Sequence, residues 1–309
     1  MTAAAPVVAV VGATATGKSD LAVELALALG GEVVNADSMQ LYRGMDVGTA
    51  KVTDAERRGV PHHLLDVWPV DRAAAVAEYQ GMARDRFDAL AAAGAVPVLV
   101  GGSGLYVRAA LDDLRFPGTD PEVRARWQGE ADRLGPGPLH ERLREVDPAA
   151  AAAILPSNTR RVVRALEVVE LTGRPFSASM PAAGAEARVV PAVVVGLRRD
   201  RSDVDRRIEA RVDRMWRDGL VEEVRGLLDQ GLETGPTASR AVGYAQVLDL
   251  LRDRFTEAEA RERTVAATRR LVRRQESWFG ADPTVTWFDA AEADLPVRVL
   301  GHVRATLGG

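Results

Sequence analysis

Gly12-Ala13-Thr14-Ala15-Thr16-Gly17-Lys18-Ser19 has the spacing G-x-x-x-x-G-K-[ST]. Glycines let the backbone curl until successive N–H groups face an anion. A helix that starts at the lysine adds partial positive charge at its N-terminus. Lys18 then supplies a point charge for an outer phosphate, and the Ser19 hydroxyl suits Mg²⁺. The chemistry is diphosphate or triphosphate binding, and the loop does not say which molecule carries the phosphates. Farther on, Asp37 follows the apolar pair Val33-Val34. A carboxylate just past a parallel strand lies at the carboxyl edge of the sheet, where α/β ligands bind. There it can serve as a general base, ligate a metal, or simply cap the next segment. Gly101-Gly102-Ser103-Gly104 follows another apolar run. It can wall the same site, or only permit tight strand–helix packing. A nucleotide hydrolase needs a second carboxylate at the end of such a run, and none is present.

Arginines form three clusters. Written as a helix, Arg269, Arg270, Arg273 and Arg274 fall on one side, opposite Leu271, Val272, Trp278 and Phe279. Arg207, Arg211 and Arg214 lie beside a core stripe of Val204, Ile208, Val212 and Met215, and Arg160, Arg161 and Arg164 form the third group. Co-facial like charges repel by a few tenths of a kcal/mol per pair. Either solvent or a polyanion such as nucleic acid can relieve that. Only Lys18 and Lys51 are lysines, so arginine excess also reflects coding bias.

The elements that must position these groups alternate. Apolar runs at 6–11, 32–35, 63–67, 96–100, 189–197 and 285–288 read as strands. Helical patterns fill 18–29, 72–93, 203–230, 239–253 and 256–279, followed by a terminal helix. This predicts an α/β fold with a parallel sheet flanked by helices. Residues 118–188 lack a core strand and read as a mainly helical insertion, a lid. The catalytic core would then comprise 1–117 and 189–309. At 309 residues the chain has room for both. There is no cysteine, which excludes disulfides, thiolate metal sites and a cysteine nucleophile. The net charge of −4 excludes a uniformly basic nucleic-acid binder but not local patches. No run is long enough for a membrane span or a signal peptide, so the expected location is cytoplasmic, as a monomer with no obligate protein partner. The adjacent His62 and His63 point to opposite faces of a strand and read as structural.

Together the blocks GATATGKS (12–19), NADSMQLYRGMDVGTAK (35–51), PHHLLDV (61–67), GGSGLY (101–106) and RRVVRALEV (160–168) resemble the bacterial tRNA dimethylallyltransferases. So do TGRPFSAS (172–179), RRIEARVDRMWRDGLVEEV (206–224), SRAVGY (239–244) and TRRLVRRQESWF (268–279). The resemblance implies a P-loop kinase-like core. It implies transfer of the dimethylallyl group of dimethylallyl diphosphate to N6 of adenosine-37, in the anticodon stem-loop of tRNAs reading codons that begin with U. Asp37 would accept the N6 proton. The amides of residues 13–18, Lys18, Ser19 with Mg²⁺, and Arg207 would hold the departing diphosphate. Asp37, Ser38, Met39 and Gln40 would line the pocket of a flipped-out base. Ser103, Arg124, Arg161 and Arg164 would contact tRNA, with Arg269 and Arg273 on its phosphates. Ala13, Thr16 and Ser19 depart from the family's proline, serine and threonine but keep the cradle and the hydroxyl. Leu155-Pro156-Ser157-Asn158 departs from H-P-N-D, and Ala245 stands where a lysine is usual. An ATP-dependent small-molecule or nucleotide kinase and a free-nucleotide isopentenyltransferase are the alternatives. The insertion and the arginine clusters weigh against the latter.

Overall fold

The computed structural model describes residues 6–179 and 183–308. Six strands form one parallel sheet: β1 (Val7–Gly12), β2 (Gly31–Asn35), β3 (His62–His63), β4 (Val96–Gly101), β5 (Ala192–Arg198) and β6 (Val285–Asp289). Their order is β3-β2-β4-β1-β5-β6, and every pairing is parallel. β1 lies between β4 and β5, and its residues Val7 to Val11 are fully buried. That is why its sequence is apolar at consecutive positions and not at alternate ones. Val8 and Val10 pack with Leu21 and Leu25 of the helix Lys18–Leu29 and with Val299 and Val303 of the helix Leu295–Leu307. The helices Val76–Ala92, Gly104–Leu111 and Glu257–Gly280 also pack against the sheet or one another.

Three expected elements differ most in extent, while the run at 189–197 becomes Ala192–Arg198 and the helix at 72–93 becomes Val76–Ala92. The strand at 63–67 is only His62–His63, because Leu64 and Asp66 take φ of +60° and +57° and leave the extended path. The helix at 203–230 is two helices, Arg201–Arg217 and Leu220–Leu228. Gly219, at φ +97°, separates them. The segment 239–253 is a 3₁₀ turn, Ala238–Arg240, followed by the helix Tyr244–Leu251. No helix among the described residues is long and apolar enough to cross a membrane.

The chain divides into two compact units, one containing the sheet and the other running from Asp113 to Ala187. The second unit is built from the helices Pro121–Leu134, Pro136–Val146, Pro148–Ala153 and Thr159–Thr172. Leu139, Leu143, Ile154, Val162 and Leu166 are its core. Asp147 and Asn158 cap two of its helices, with Asn158 accepting from the Arg161 N–H. Glu167 is fully buried within this unit. It accepts from the Thr119 hydroxyl at 2.7 Å, the Asp120 amide at 3.0 Å and the guanidinium groups of Arg124 and Arg164, each at 2.8 Å. Burial alone would raise its pKa. The hydrogen bonds outweigh burial and hold it down to about 2.

Because that pKa lies below the ordinary carboxylate value, Glu167 stabilises the unit above about pH 4.5 and loses this contribution as pH falls toward 2. Glu167→Ala should cost about 2 kcal/mol, since it removes a buried carboxylate shared by four donors, two of them guanidinium groups. Urea unfolding at pH 7 and pH 3 checks this: the difference between wild type and variant should shrink at the lower pH.

Candidate active site

β1 must end in glycine. Gly12 has φ +136°, and a Cβ there would sit 2.5 Å from the Leu197 carbonyl oxygen of β5. The following loop turns through Ala15 at φ +66° and Gly17 at φ +95° before the helix begins at Lys18. Its curl closes on one carbonyl. The Thr16 hydroxyl donates to Ala13 O at 2.9 Å, and Lys18 Nζ donates to the same oxygen at 2.5 Å. The Thr14 amide is committed elsewhere, donating to Gln275 Oε1 at 2.9 Å. The set of amides free to face an anion is therefore narrower than residues 13–18.

The loop opens into a cleft of about 530 Å³ whose lining includes Lys18, Ser19, Asp37, Gln40, Thr49, Arg207, Arg211 and Arg214. Burial pushes the Lys18 ammonium down to about 8; Asp37 opposes the shift and Arg211 adds to it. Burial also weighs against the Arg211 charge, and Asp37 supports it. Arg211 donates to Thr49 O at 3.0 Å and has no carboxylate partner among the described residues. Arg207, the arginine expected to hold diphosphate, lies at the rim, 46% exposed and paired with Asp203 at 3.1 Å. Sequence reasoning passed over Arg211 for this role. The signal was its place one helical turn after Arg207, on the same face. Ser19 Oγ has no hydrogen-bond partner among the described residues, so it is free to ligate. Mg²⁺ commonly takes only one or two protein ligands plus phosphate oxygens, so the donor set fits that ion. No group of three or more His, Cys, Asp or Glu among the described residues could hold a metal ion alone.

Asp37 is held from both sides. Its amide donates to Asn35 Oδ1 at 2.8 Å, and Asn35 Nδ2 donates to its carbonyl at 3.0 Å. Its Oδ1 accepts from the Met39 amide at 2.9 Å in an Asx turn. Its Oδ2 carries no hydrogen bond among the described residues. The capping alternative thus uses one oxygen and leaves the other for chemistry. Ser38 and Ser103 meet: Ser103 Oγ accepts from the Ser38 amide at 3.1 Å and lies 3.1 Å from its hydroxyl. Gln40 Nε2 donates to Thr49 O at 3.2 Å.

The wall formed by residues 46–51 is fixed by Glu223, a residue of the 206–224 block with no expected role there. The Glu223 carboxylate accepts from the amides of Asp46 at 3.0 Å, Val47 at 2.7 Å and Gly48 at 3.2 Å. It also accepts from the Tyr244 hydroxyl at 2.5 Å. Burial first, and then Glu223 itself, drive that hydroxyl's pKa up, so it stays a donor. Lys51 is structural, buried between Asp46 at 2.5 Å and Asp66 at 2.6 Å.

Other candidates are placed differently. Arg269 is paired with Asp205 at 3.2 Å and Glu209 at 2.6 Å, which ties its helix to Arg201–Arg217. Arg270, Arg273 and Arg274 are exposed and have no partner among the described residues. In the second unit, Arg124 and Arg164 serve Glu167, and Arg164 also donates to the carbonyls of Pro117 and Gly118. The Arg161 side chain has no partner among the described residues. His63 pairs with Glu32 at 2.5 Å, and His62 contacts Val60 O at 2.9 Å.

A curled loop with lysine and hydroxyl at the carboxyl end of a central parallel strand, in a chain that also carries an inserted helical unit, defines a P-loop phosphate-binding protein of group-transfer type. The IPP transferase family matches residues 40–282. The chain belongs to that family and is a transferase. It is 62% identical to the tRNA dimethylallyltransferase of Streptomyces avermitilis, covering 94% of this chain and 92% of the relative. It is 60% identical to that of Salinispora arenicola, covering 98% and 88%. Among solved structures, the full-length tRNA isopentenylpyrophosphate transferase of Bacillus halodurans is 38% identical, with TM-score 0.72 over 98% of this chain and 97% of that one. A eukaryotic dimethylallyltransferase, crystallised acting on tRNA, shares the fold at 22% identity, with TM-score 0.78 over 97% and 78%.

Two outcomes follow from the cleft's charges. Pyrophosphate affinity, measured by calorimetry, should fall as pH rises through about 8, where Lys18 loses its proton. In Lys18→Arg, whose guanidinium keeps its charge, that step should be absent. Arg211→Gln should weaken pyrophosphate binding by about 100-fold, and the rim substitution Arg207→Gln by under about 10-fold, as fits a desolvated against a screened cation.

Proposed function

We propose that this protein transfers the dimethylallyl group of dimethylallyl diphosphate to N6 of adenosine-37 in tRNAs reading codons that begin with U. The observation that carries the reading is the pairing, in one cleft, of a phosphate loop with a carboxylate whose Oδ2 is free. The C–O bond of the allylic ester breaks, and its electron pair leaves with diphosphate. Lys18, Arg211 and the remaining loop amides receive that charge where water is scarce. N6 attacks the allylic carbon, and its proton passes to Asp37 Oδ2. The exocyclic amine is a poor nucleophile because its lone pair is delocalised, so a positioned base contributes about 10²–10⁴-fold. Mg²⁺, held by Ser19 and phosphate oxygens, would add charge neutralisation to the leaving diphosphate.

The target base must leave the anticodon stack to reach Asp37. Ser38, Met39, Gln40 and Ser103 are proposed to line its pocket, and Ser38 and Ser103 already brace one another there. Arg160, Arg161 and the exposed Arg270, Arg273 and Arg274 are among the cations open to tRNA phosphates. Arg124, Arg164 and Arg269 would act by holding their helices, given the carboxylates they serve.

Mass analysis of tRNA nucleosides after incubation with dimethylallyl diphosphate should show one prenyl group per tRNA. A phosphorylated product that requires ATP would overturn the reading. Asp37→Ala should lower turnover by about 10²–10⁴-fold with tRNA affinity nearly unchanged; an equal loss of affinity would make Asp37 a binding residue. Replacing Arg270 and Arg273 by Gln should reduce the salt slope of tRNA binding by about one unit for each phosphate no longer neutralised. Arg269→Gln should instead lower thermal stability.

A further inference from the structure

Gln275 lies on the buried stripe of the helix Glu257–Gly280, between Val272 and Phe279, and is 8% exposed. Both ends of its amide are used. Oε1 accepts from the Thr14 amide at 2.9 Å, and Nε2 donates to Gly102 O at 2.9 Å. One partner can only donate and the other only accept, so the amide has one workable orientation. Thr14 belongs to the phosphate loop after β1. Gly102 belongs to the loop after β4 that carries Ser103. A Cβ on Gly102 would lie 2.4 Å from Gln275 Nε2, so the amide fills the space a side chain there would need. About one turn farther along the helix, Trp278 lies against Gly104, where a Cβ would meet its ring at 2.0 Å. One helix face thus meets both loops. An apolar residue at 275 would leave a part-buried amide and a buried carbonyl unmatched, and buried polar groups are seldom left so.

We infer that Gln275 is a positioning residue for the transfer reaction: it holds the phosphate loop and the Ser103 loop at one spacing, which keeps the diphosphate in register with the acceptor beside Asp37 and Ser38. Gln275 acts through these two loops. Its effect falls on diphosphate binding and turnover, since a misplacement near 1 Å can cost about 10²-fold. The inference rests on the prenyl-transfer reading above.

The test uses the full chain with Gln275→Met and Gln275→Glu, inorganic pyrophosphate as the calorimetric probe, and steady-state kinetics with dimethylallyl diphosphate and tRNA. Wild type should bind pyrophosphate; if it does not, the diphosphate reading falls and takes this inference with it. If wild type binds, Gln275→Met should bind pyrophosphate about tenfold more weakly and lose about 100-fold in kcat/KM, with tRNA affinity within about twofold. A folded Gln275→Met with unchanged pyrophosphate affinity and unchanged kcat/KM overturns this inference alone. So does a loss shared equally by tRNA affinity. Gln275→Glu keeps the test open should the methionine variant not fold. As a carboxylate it cannot donate to Gly102 O. Protonated, it supplies one acceptor and one donor, as the amide does. Its kcat/KM relative to wild type should therefore rise about tenfold from pH 8 to pH 5.5, and a flat ratio overturns the inference.

Discussion

Lys18 and Arg211 share a cleft that strips water from both, and Arg211 makes the Lys18 charge harder to hold. The fold keeps the pair together without neutralising it. Both cations rest on backbone carbonyls, Lys18 on Ala13 O and Arg211 on Thr49 O. A carbonyl dipole steadies a cation and yields to an arriving anion, whereas a buried carboxylate partner would have to be torn away first. Asp37 sits close enough to moderate both charges, yet its own hydrogen bonds run to the backbone and side chains around it.

That arrangement depends on residues that never enter the cleft. The carbonyl holding Arg211 belongs to the loop 46–51, and that loop takes its shape from Glu223, Tyr244 and Lys51. Glu223 gathers three consecutive amides, which form a concave donor set that would otherwise favour a free anion. By filling that set with a side chain of its own, the protein leaves the phosphate loop as the stronger anion site. Lys51 is spent in the opposite sense, tying Asp46 to Asp66 beneath the same loop. Of the two lysines, one therefore faces the cleft and the other builds its wall.

How much of this was legible in the sequence depends on the distance over which each signal acts. The phosphate loop, Asp37 and the strand runs at 96–100 and 285–288 are local patterns, and the structure places them close to where spacing put them. The run at 63–67 misled because turn residues at positive φ, Leu64 and Asp66, carry no glycine to announce them. The arginines were the hardest. Helical spacing showed which shared a face, but the carboxylates that claim Arg124 and Arg269 come from other helices, 43 and 64 residues distant. Arg164 and Glu167 lie one turn apart on the same helix, so their pairing was open to the eye, whereas the burial of Glu167 was not. Within the 201–217 helix, Arg207 and Arg211 share a stripe, and only depth in the cleft separates them. Gln275 was readable in part: a polar residue at helical spacing between Val272 and Phe279 must find buried partners, though its partners could not be named.

One close approach explains both what the site has and what it lacks. The Ala36 amide donates to Val100 O at 2.7 Å, drawing the end of β2 against the end of β4. Asp37 comes one residue later and is carried to the carboxyl edge beside the phosphate loop. The same contact leaves no room on β4: a Cβ on Gly101 would lie 2.4 Å from the Ala36 backbone, and Gly102 is closed off by Gln275. Hydrolases place their second carboxylate at the end of such a strand. Here that position cannot accept a side chain unless the backbone at Ala36 or the Gln275 amide shifts. The geometry that brings Asp37 into the cleft is thus the geometry that keeps a hydrolase's acid off the end of β4.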